Sequence, residues 1–203
     1  MPELNKLLTG YQAFYKEQSD NDGALFKKLS KGQAPKVLVI TCSDSRISPL
    51  KITQAAPGEM FVVRNVANLV PPYQPKPDSL HGVSAALEFG VCHLEVKHIV
   101  VMGHSGCGGI KALREGISAP EGQDMSFIGS WMEIAKSAKC VSQLQCEEEA
   151  IKVSLENLKT FPWIKSRVDS GAIELHGWYF RLDDGKLLTL DDDSFSEVPP
   201  ATT

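Results

Sequence analysis

Apolar residues recur at helical spacing near the start of the chain. Leu4, Leu7, Leu8, Tyr11, Phe14 and Tyr15 would share one face of a helix over residues 3–18. A second short helix fits 22–30. The pattern then changes from periodic to continuous. "KVLVI" (36–40), "MFVVRN" (60–65) and "HIVVM" (98–102) are unbroken apolar runs of strand length. The four prolines of "VPPYQPKP" (70–77) forbid regular structure there. Asp78 is placed to cap a helix running to about Leu94. Further helices are expected over "GGIKALRE" (108–115), 126–138 and 147–168. "AIELHGWYF" and "KLLTL" flank the "DDG" turn at 183–185 and predict a hairpin.

Continuously apolar strands alternating with helices predict an α/β fold. Its central β-sheet is mostly parallel and flanked by helices, with an antiparallel edge and an N-terminal helical arm. A single domain is expected over 1–203, divided into an arm (1–34), an α/β core (35–190) and an acidic C-terminal tail (191–203) that is loose at its end. Sheets of this kind place their sites beyond the carboxyl ends of the strands.

Charge narrows the partners. Among 203 residues, 21 are basic and 25 acidic, and they are well mixed, for a net charge of −4. No basic stripe suggests nucleic acid or a membrane surface. No apolar run approaches the roughly 18–20 residues of a membrane span. The mixed-charge N-terminus does not read as a secretory signal. Five cysteines, at 42, 92, 107, 140 and 146, are an odd number. Reduced thiols are the expectation, with a cytoplasmic location, or an organellar one if a presequence was removed.

Chemistry concentrates in two short segments. "ITCSDSR" carries Cys42, Asp44 and Arg46 just past the first strand. Were extended geometry to persist there, the three would share a face at about 6.5 Å intervals. "GHSGCGG" carries His104 and Cys107 just past the third strand, three residues apart and thus neighbours on a turn. Two thiolates, an imidazole and a carboxylate suit Zn²⁺. Three of them with water describe a catalytic site, and all four describe a closed one. Glycines 103, 106, 108 and 109 allow the chain to turn around an ion, but the segment lacks the Gly-Lys-Ser/Thr ending of a phosphate loop. Cys92, Cys140 and Cys146 read as small buried residues. His81, His93, His98 and His176 have no ligand neighbours at metal spacing in the sequence and read as structural.

"CSDSR", "GEMFVVRNVANLVPP", "HIVVMGHSGCGGIKAL" and "LHGW", in this order, resemble the β-class carbonic anhydrases. The likeness runs from about Phe14 to Asp184, and the C-x-D-x-R and H-x-x-C pair, about 60 residues apart, is its most specific part. The resemblance implies reversible hydration of carbon dioxide to bicarbonate and a proton through zinc-bound hydroxide. It implies Cys42, His104 and Cys107 as zinc ligands, with Asp44 as a fourth ligand in a closed state, and Asp44 and Arg46 as the catalytic pair. Gln33, nine residues before Cys42, matches the glutamine of the plant-type branch that binds bicarbonate. Phe61, Val66 and Phe89 match its pocket-lining positions, the last commonly tyrosine. A Trp, Arg and Tyr trio that regulates another branch corresponds to Val39, Arg64 and Phe180, so no bicarbonate switch of that kind is expected. Family members are homodimers or multiples of dimers with the pocket at the subunit interface, and the N-terminal helix is expected to wrap the neighbour. Two rivals use the same ligands: turnover of carbon disulfide, and a zinc-stabilised binding protein in which Asp44 closes the site.

Overall fold

The computed structural model describes residues 1–20, 23–75, 80–116, 126–138 and 140–199. The chain divides into two compact units, Met1–Ala34 and Pro35–Thr203. The first holds helices α1 (Pro2–Asp20) and α2 (Ala24–Leu29). Phe14 meets Phe26 edge-on, with ring centroids 5.6 Å apart. Leu4, Leu7, Leu8, Tyr11 and Tyr15, the apolar stripe of α1, are all exposed.

The second unit is built on a six-stranded sheet. Its strands are β1 (Val37–Cys42), β2 (Met60–Asn65), β3 (His98–His104), β4 (Glu174–Phe180), β5 (Leu187–Asp191) and β6 (Ser194–Glu197). They lie in the order β2-β1-β3-β4-β5-β6. The first four are mutually parallel, and the last two add antiparallel edges. Helices α3 (Pro49–Thr53), α4 (Gly82–Glu88), α5 (Gly108–Glu115), α6 (Ser126–Met132), α7 (Gln143–Lys159) and α8 (Pro162–Asp169) complete the unit.

Alternation along the strands sends side chains to opposite faces. Leu38, Ile40, Ile99 and Val101 face a large core with Leu87, Ile151, Leu158 and Ile164, contributed by α4, α7 and α8. Val39, Val100 and Met102 face a smaller one with Ile47 and, at its margin, Ile52 of α3. A third cluster joins Cys42 and Cys107 to Ala67, Ile110, Met132 and Ala150, which puts the sulfurs on an apolar floor at the carboxyl ends of β1 and β3.

Several expected bounds move. The helix over 147–168 is two helices. Ser142 starts the first by accepting from the Gln145 amide at 3.2 Å, and Pro162 starts the second. The helix ending near Leu94 turns π-helical over Phe89–His93, while its expected cap Asp78 lies outside the described residues. The tail contributes strand β6, joined to β5 by a two-residue turn with Asp192 at φ 51°. Arg181 and Lys186 hold it through Glu197, at 2.8 and 2.9 Å, and Phe195 packs on Tyr179.

Candidate metal centre

Two crossover connections converge on one point. Cys42 ends β1, His104 ends β3, and Cys107 caps α5. All three are buried, and their ligand atoms lie within 4.8 Å of one another. The two sulfurs are 3.9 Å apart. Between His104 and Cys107 the chain reverses at Gly106, whose φ of +68° favours glycine. A side chain at Gly109 would meet Val66 Cγ1 at 2.7 Å, so α5 comes close to the end of β2 only because that position is bare.

The backbone prepares the sulfurs as anions. Amides of Asp44 and Ala67 face Cys42, and those of Gly109 and Ile110 face Cys107. Ala67 adopts a left-handed φ of 64° within the tight turn that follows β2. Asn65 clamps that turn, accepting from the Leu69 amide and donating to its carbonyl, both at 2.9 Å. Cys42 is pulled down to about 4, first by the thiol of Cys107, with burial opposing and His104 helping. Its sulfur, together with burial, pushes Cys107 up.

His104 presents the third donor. Its Nδ1–H donates to the Ser105 carbonyl at 3.0 Å, which leaves Nε2 as the bare lone pair. That Nε2 is buried with no hydrogen-bond partner. A buried polar atom without a partner is costly, and a cation beside it removes the cost. Two sulfurs and an imidazole nitrogen are the donors that Zn²⁺ takes. The residues present therefore fit that ion.

Asp44 and Arg46 stand beside this triangle, but not by strand geometry. β1 stops at Cys42, and a turn closes with the Ile47 amide donating to the Asp44 carbonyl at 3.0 Å. The turn brings the Arg46 amide and Nε onto Asp44 Oδ1, both at 2.9 Å, and a terminal nitrogen onto Oδ2 at 2.7 Å. This two-pronged grip holds the Asp44 carboxyl well below the usual carboxylate range. Asp44 Oδ2 also lies 3.9 Å from His104 Nε2. The same guanidinium donates to the Gly106 carbonyl at 3.0 Å, tying the two segments together.

With this geometry in hand, the chain was compared with known proteins. The carbonic anhydrase family model matches residues 37–187. The chain is 34% identical to a carbonic anhydrase of Synechococcus elongatus, covering 97% of this chain and 76% of that protein. The chain belongs to the β-class carbonic anhydrase family. It is 42% identical to the chloroplastic β carbonic anhydrase 5 of Arabidopsis thaliana over 186 residues, 86% of this chain. It spans about 60% of the length of that plant relative. Its fold is similar to the β-carbonic anhydrase CcaA, with a TM-score of 0.87 and 33% identity over 100% of this chain and 94% of that one. A tetrameric β-carbonic anhydrase of Sordaria macrospora gives a TM-score of 0.80 at 27% identity over 94% and 98% of the two chains.

Within this carbonic anhydrase fold, not every expected site residue gathers at the triangle. Val66 lies beside Gly109, two residues after Cys107. Phe61 and Phe89 meet each other, with centroids 5.9 Å apart. Phe61, however, pairs with Leu38, four residues before the level of Cys42 and thus roughly 13 Å back along the strand. Gln33 belongs to the N-terminal unit and is exposed.

Two structural roles escaped sequence reasoning. Glu147 of α7 is buried beneath Cys107. Its Oε1 accepts from the Cys107 amide at 2.8 Å and the Gln143 side chain at 2.6 Å, and its Oε2 accepts from the Tyr179 hydroxyl at 2.7 Å. Burial and this carboxylate push Tyr179 upward. "EEE" at 147–149 looks like a solvated run, and the clue is that Glu147 shares the apolar face of Ala150, Ile151 and Ser154. Arg64 spans the carbonyls of Cys42, Asp44 and Ile47, donating at 2.9, 2.8 and 2.8 Å, and so braces the Cys42 loop.

Other expectations are corrected. Cys146 is buried, but Cys140 is half-buried and Cys92 exposed. His98 and His176 are not isolated, because the fold brings both together with Glu174.

Proposed function

We propose that the chain catalyses the reversible hydration of carbon dioxide to bicarbonate and a proton, with Zn²⁺ held by Cys42, His104 and Cys107. The observation that carries this reading is the bare, buried Nε2 of His104 opposite two sulfurs, with an anchored carboxylate at its side. Zinc held there supplies Lewis acidity that lowers the pKa of water. The chain's own residues do the rest. Asp44, fixed by Arg46, accepts the hydrogen of the attacking oxygen and so aims its lone pair at the carbon of CO₂. Arg46 keeps that carboxylate ionised and oriented. Arg46 engages both Asp44 oxygens, which supports a carboxylate held by the guanidinium and not by a zinc that the triangle would hold.

The apolar substrate suits an apolar pocket. Val66 lines it from the same protomer. The distance of Phe61 from Cys42 supports a pocket completed by a second copy. There Gln33 hydrogen-bonds bicarbonate and the phenyl rings guide CO₂. The uncovered apolar stripe of α1 supports the same homodimer, or multiples of it. Engagement of Arg64 by three loop carbonyls, with Val39 and Phe180 in place of the aromatic partners, supports the absence of a bicarbonate switch. No helix among the described residues is long and apolar enough to cross a membrane. Free thiols throughout agree with a reducing compartment such as the cytoplasm.

Stopped-flow CO₂ hydration on protein of known zinc content tests the proposal, with carbon disulfide assayed in parallel. Hydration that scales with zinc is expected. Full zinc without CO₂ turnover, or turnover of carbon disulfide alone, rejects it.

A further inference from the structure

The opposite end of the sheet carries a second group of donors. His98 opens β3 and is the register partner of Glu174, which opens β4. His176 is two residues further along β4, so it projects from the same face as Glu174. Three specific atoms converge. His98 Nδ1 lies 3.2 Å from His176 Nε2, and Glu174 Oε2 lies 3.5 Å from the first and 3.7 Å from the second.

The size of this triangle is informative. A tetrahedral cation at about 2.0–2.2 Å from its ligands spaces them about 3.3–3.6 Å apart. The three separations bracket that spacing, so an ion fits among the donors with little side-chain movement. The backbone beneath is held in register by seven residue pairs between β3 and β4. The amides of Lys97 and His98 both donate to the Lys36 carbonyl, at 2.8 and 3.1 Å, and the Glu174 amide donates to the Lys97 carbonyl at 3.0 Å. The donor positions are thus fixed by the sheet and not by a loop. Exposure of the side chains, 41% for His98 and 36% for His176, leaves a path for an ion and for the water that completes its coordination.

We propose that His98, Glu174 and His176 form a second cation site, distinct from the Cys42/His104/Cys107 centre. Two imidazoles and one carboxylate select a borderline divalent ion, Zn²⁺, Ni²⁺ or Cu²⁺, over Mg²⁺ or Ca²⁺. A cation there staples the starts of β3 and β4, and it stabilises the folded chain by mass action because the unfolded chain lacks the triangle. The site lies about 20 Å along β3 from His104, so its occupancy leaves the chemistry at the other end intact.

The test uses full-length protein already carrying one zinc per chain. Titration with Zn²⁺ followed by calorimetry, and with Cu²⁺ followed by electron paramagnetic resonance, is expected to show one further equivalent with two nitrogen ligands. His98→Gln and His176→Gln should each weaken that equivalent by about tenfold or more, and Glu174→Gln by less. Circular dichroism confirms that the variants fold, and the first zinc and CO₂ turnover serve as internal controls. Stoichiometry that stays at one, or a second equivalent bound equally well by the double His98→Gln/His176→Gln variant, overturns the proposal.

Discussion

Strand β3 carries a histidine at each end, and the two ends differ in almost every respect that governs metal affinity. At the carboxyl end His104 is 1% exposed, its partners are sulfurs, and backbone amides from Asp44, Ala67, Gly109 and Ile110 stabilise their charge. At the amino end His98 and His176 are partly exposed, and the third donor is a carboxylate at 65% exposure. The first triangle is built from two strand ends and a helix start and needs supports: Gly106, Arg64 and Glu147. The second needs only the sheet register. A buried donor set is shut off from water and needs a cation to satisfy its groups, whereas an exposed set stays hydrated. Burial therefore makes one site obligatory and the other conditional.

The comparison breaks most visibly at the ligands. Cys107→Ser or His104→Ala should remove the resident zinc and bring CO₂ hydration to the uncatalysed background, measured by stopped flow with metal analysis. His176→Gln should leave both unchanged. Next comes Arg46→Ala, which should cost about a hundredfold in kcat while zinc stays bound, because the carboxylate loses its aim but the ligands do not change. Unchanged turnover would reject the role of Arg46. Glu147→Gln should cost about 1–3 kcal/mol in urea denaturation and weaken zinc binding, since Gln keeps one acceptor oxygen and turns an NH2 on either Tyr179 or the Cys107 amide.

The smallest predicted effect is a displacement in pH. Zinc with two thiolates and a neutral imidazole carries no net charge, against +2 for a three-histidine site, whose water has a pKa of about 7. Here kcat/KM should still be rising above neutral pH, and a flat profile from about pH 6 to 9 would count against the charge argument. Asp44 does not contribute to that rise. Arg46 depresses its folded pKa, so the stability of that ion pair is complete above the ordinary carboxylate range and is lost progressively as pH falls from that range toward the depressed folded pKa.

The strands and the candidate metal triangle were legible in the sequence for a common reason: each is a local pattern. Unbroken runs such as "KVLVI" mark buried parallel strands, and metal ligands must sit at short spacings on the loops that follow. Asp44 and Arg46 were found for a partly wrong reason, since a turn and not an extended segment joins them. What stayed hidden depends on pairing between distant segments. Glu147 looks solvated until α7 packs under Cys107. His98 and His176 are 78 residues apart, and only the β3–β4 register makes them neighbours. Strand β6 was masked by its acidic composition, although the two-residue turn at Asp192 and the alternation of "SFSE" were readable signals.

Zinc-edge X-ray absorption on protein loaded with one zinc per chain tests the central claim most directly. Two sulfurs at about 2.3 Å and one imidazole nitrogen at about 2.0 Å are expected. A shell of nitrogen and oxygen alone would place that zinc elsewhere and contradict the account.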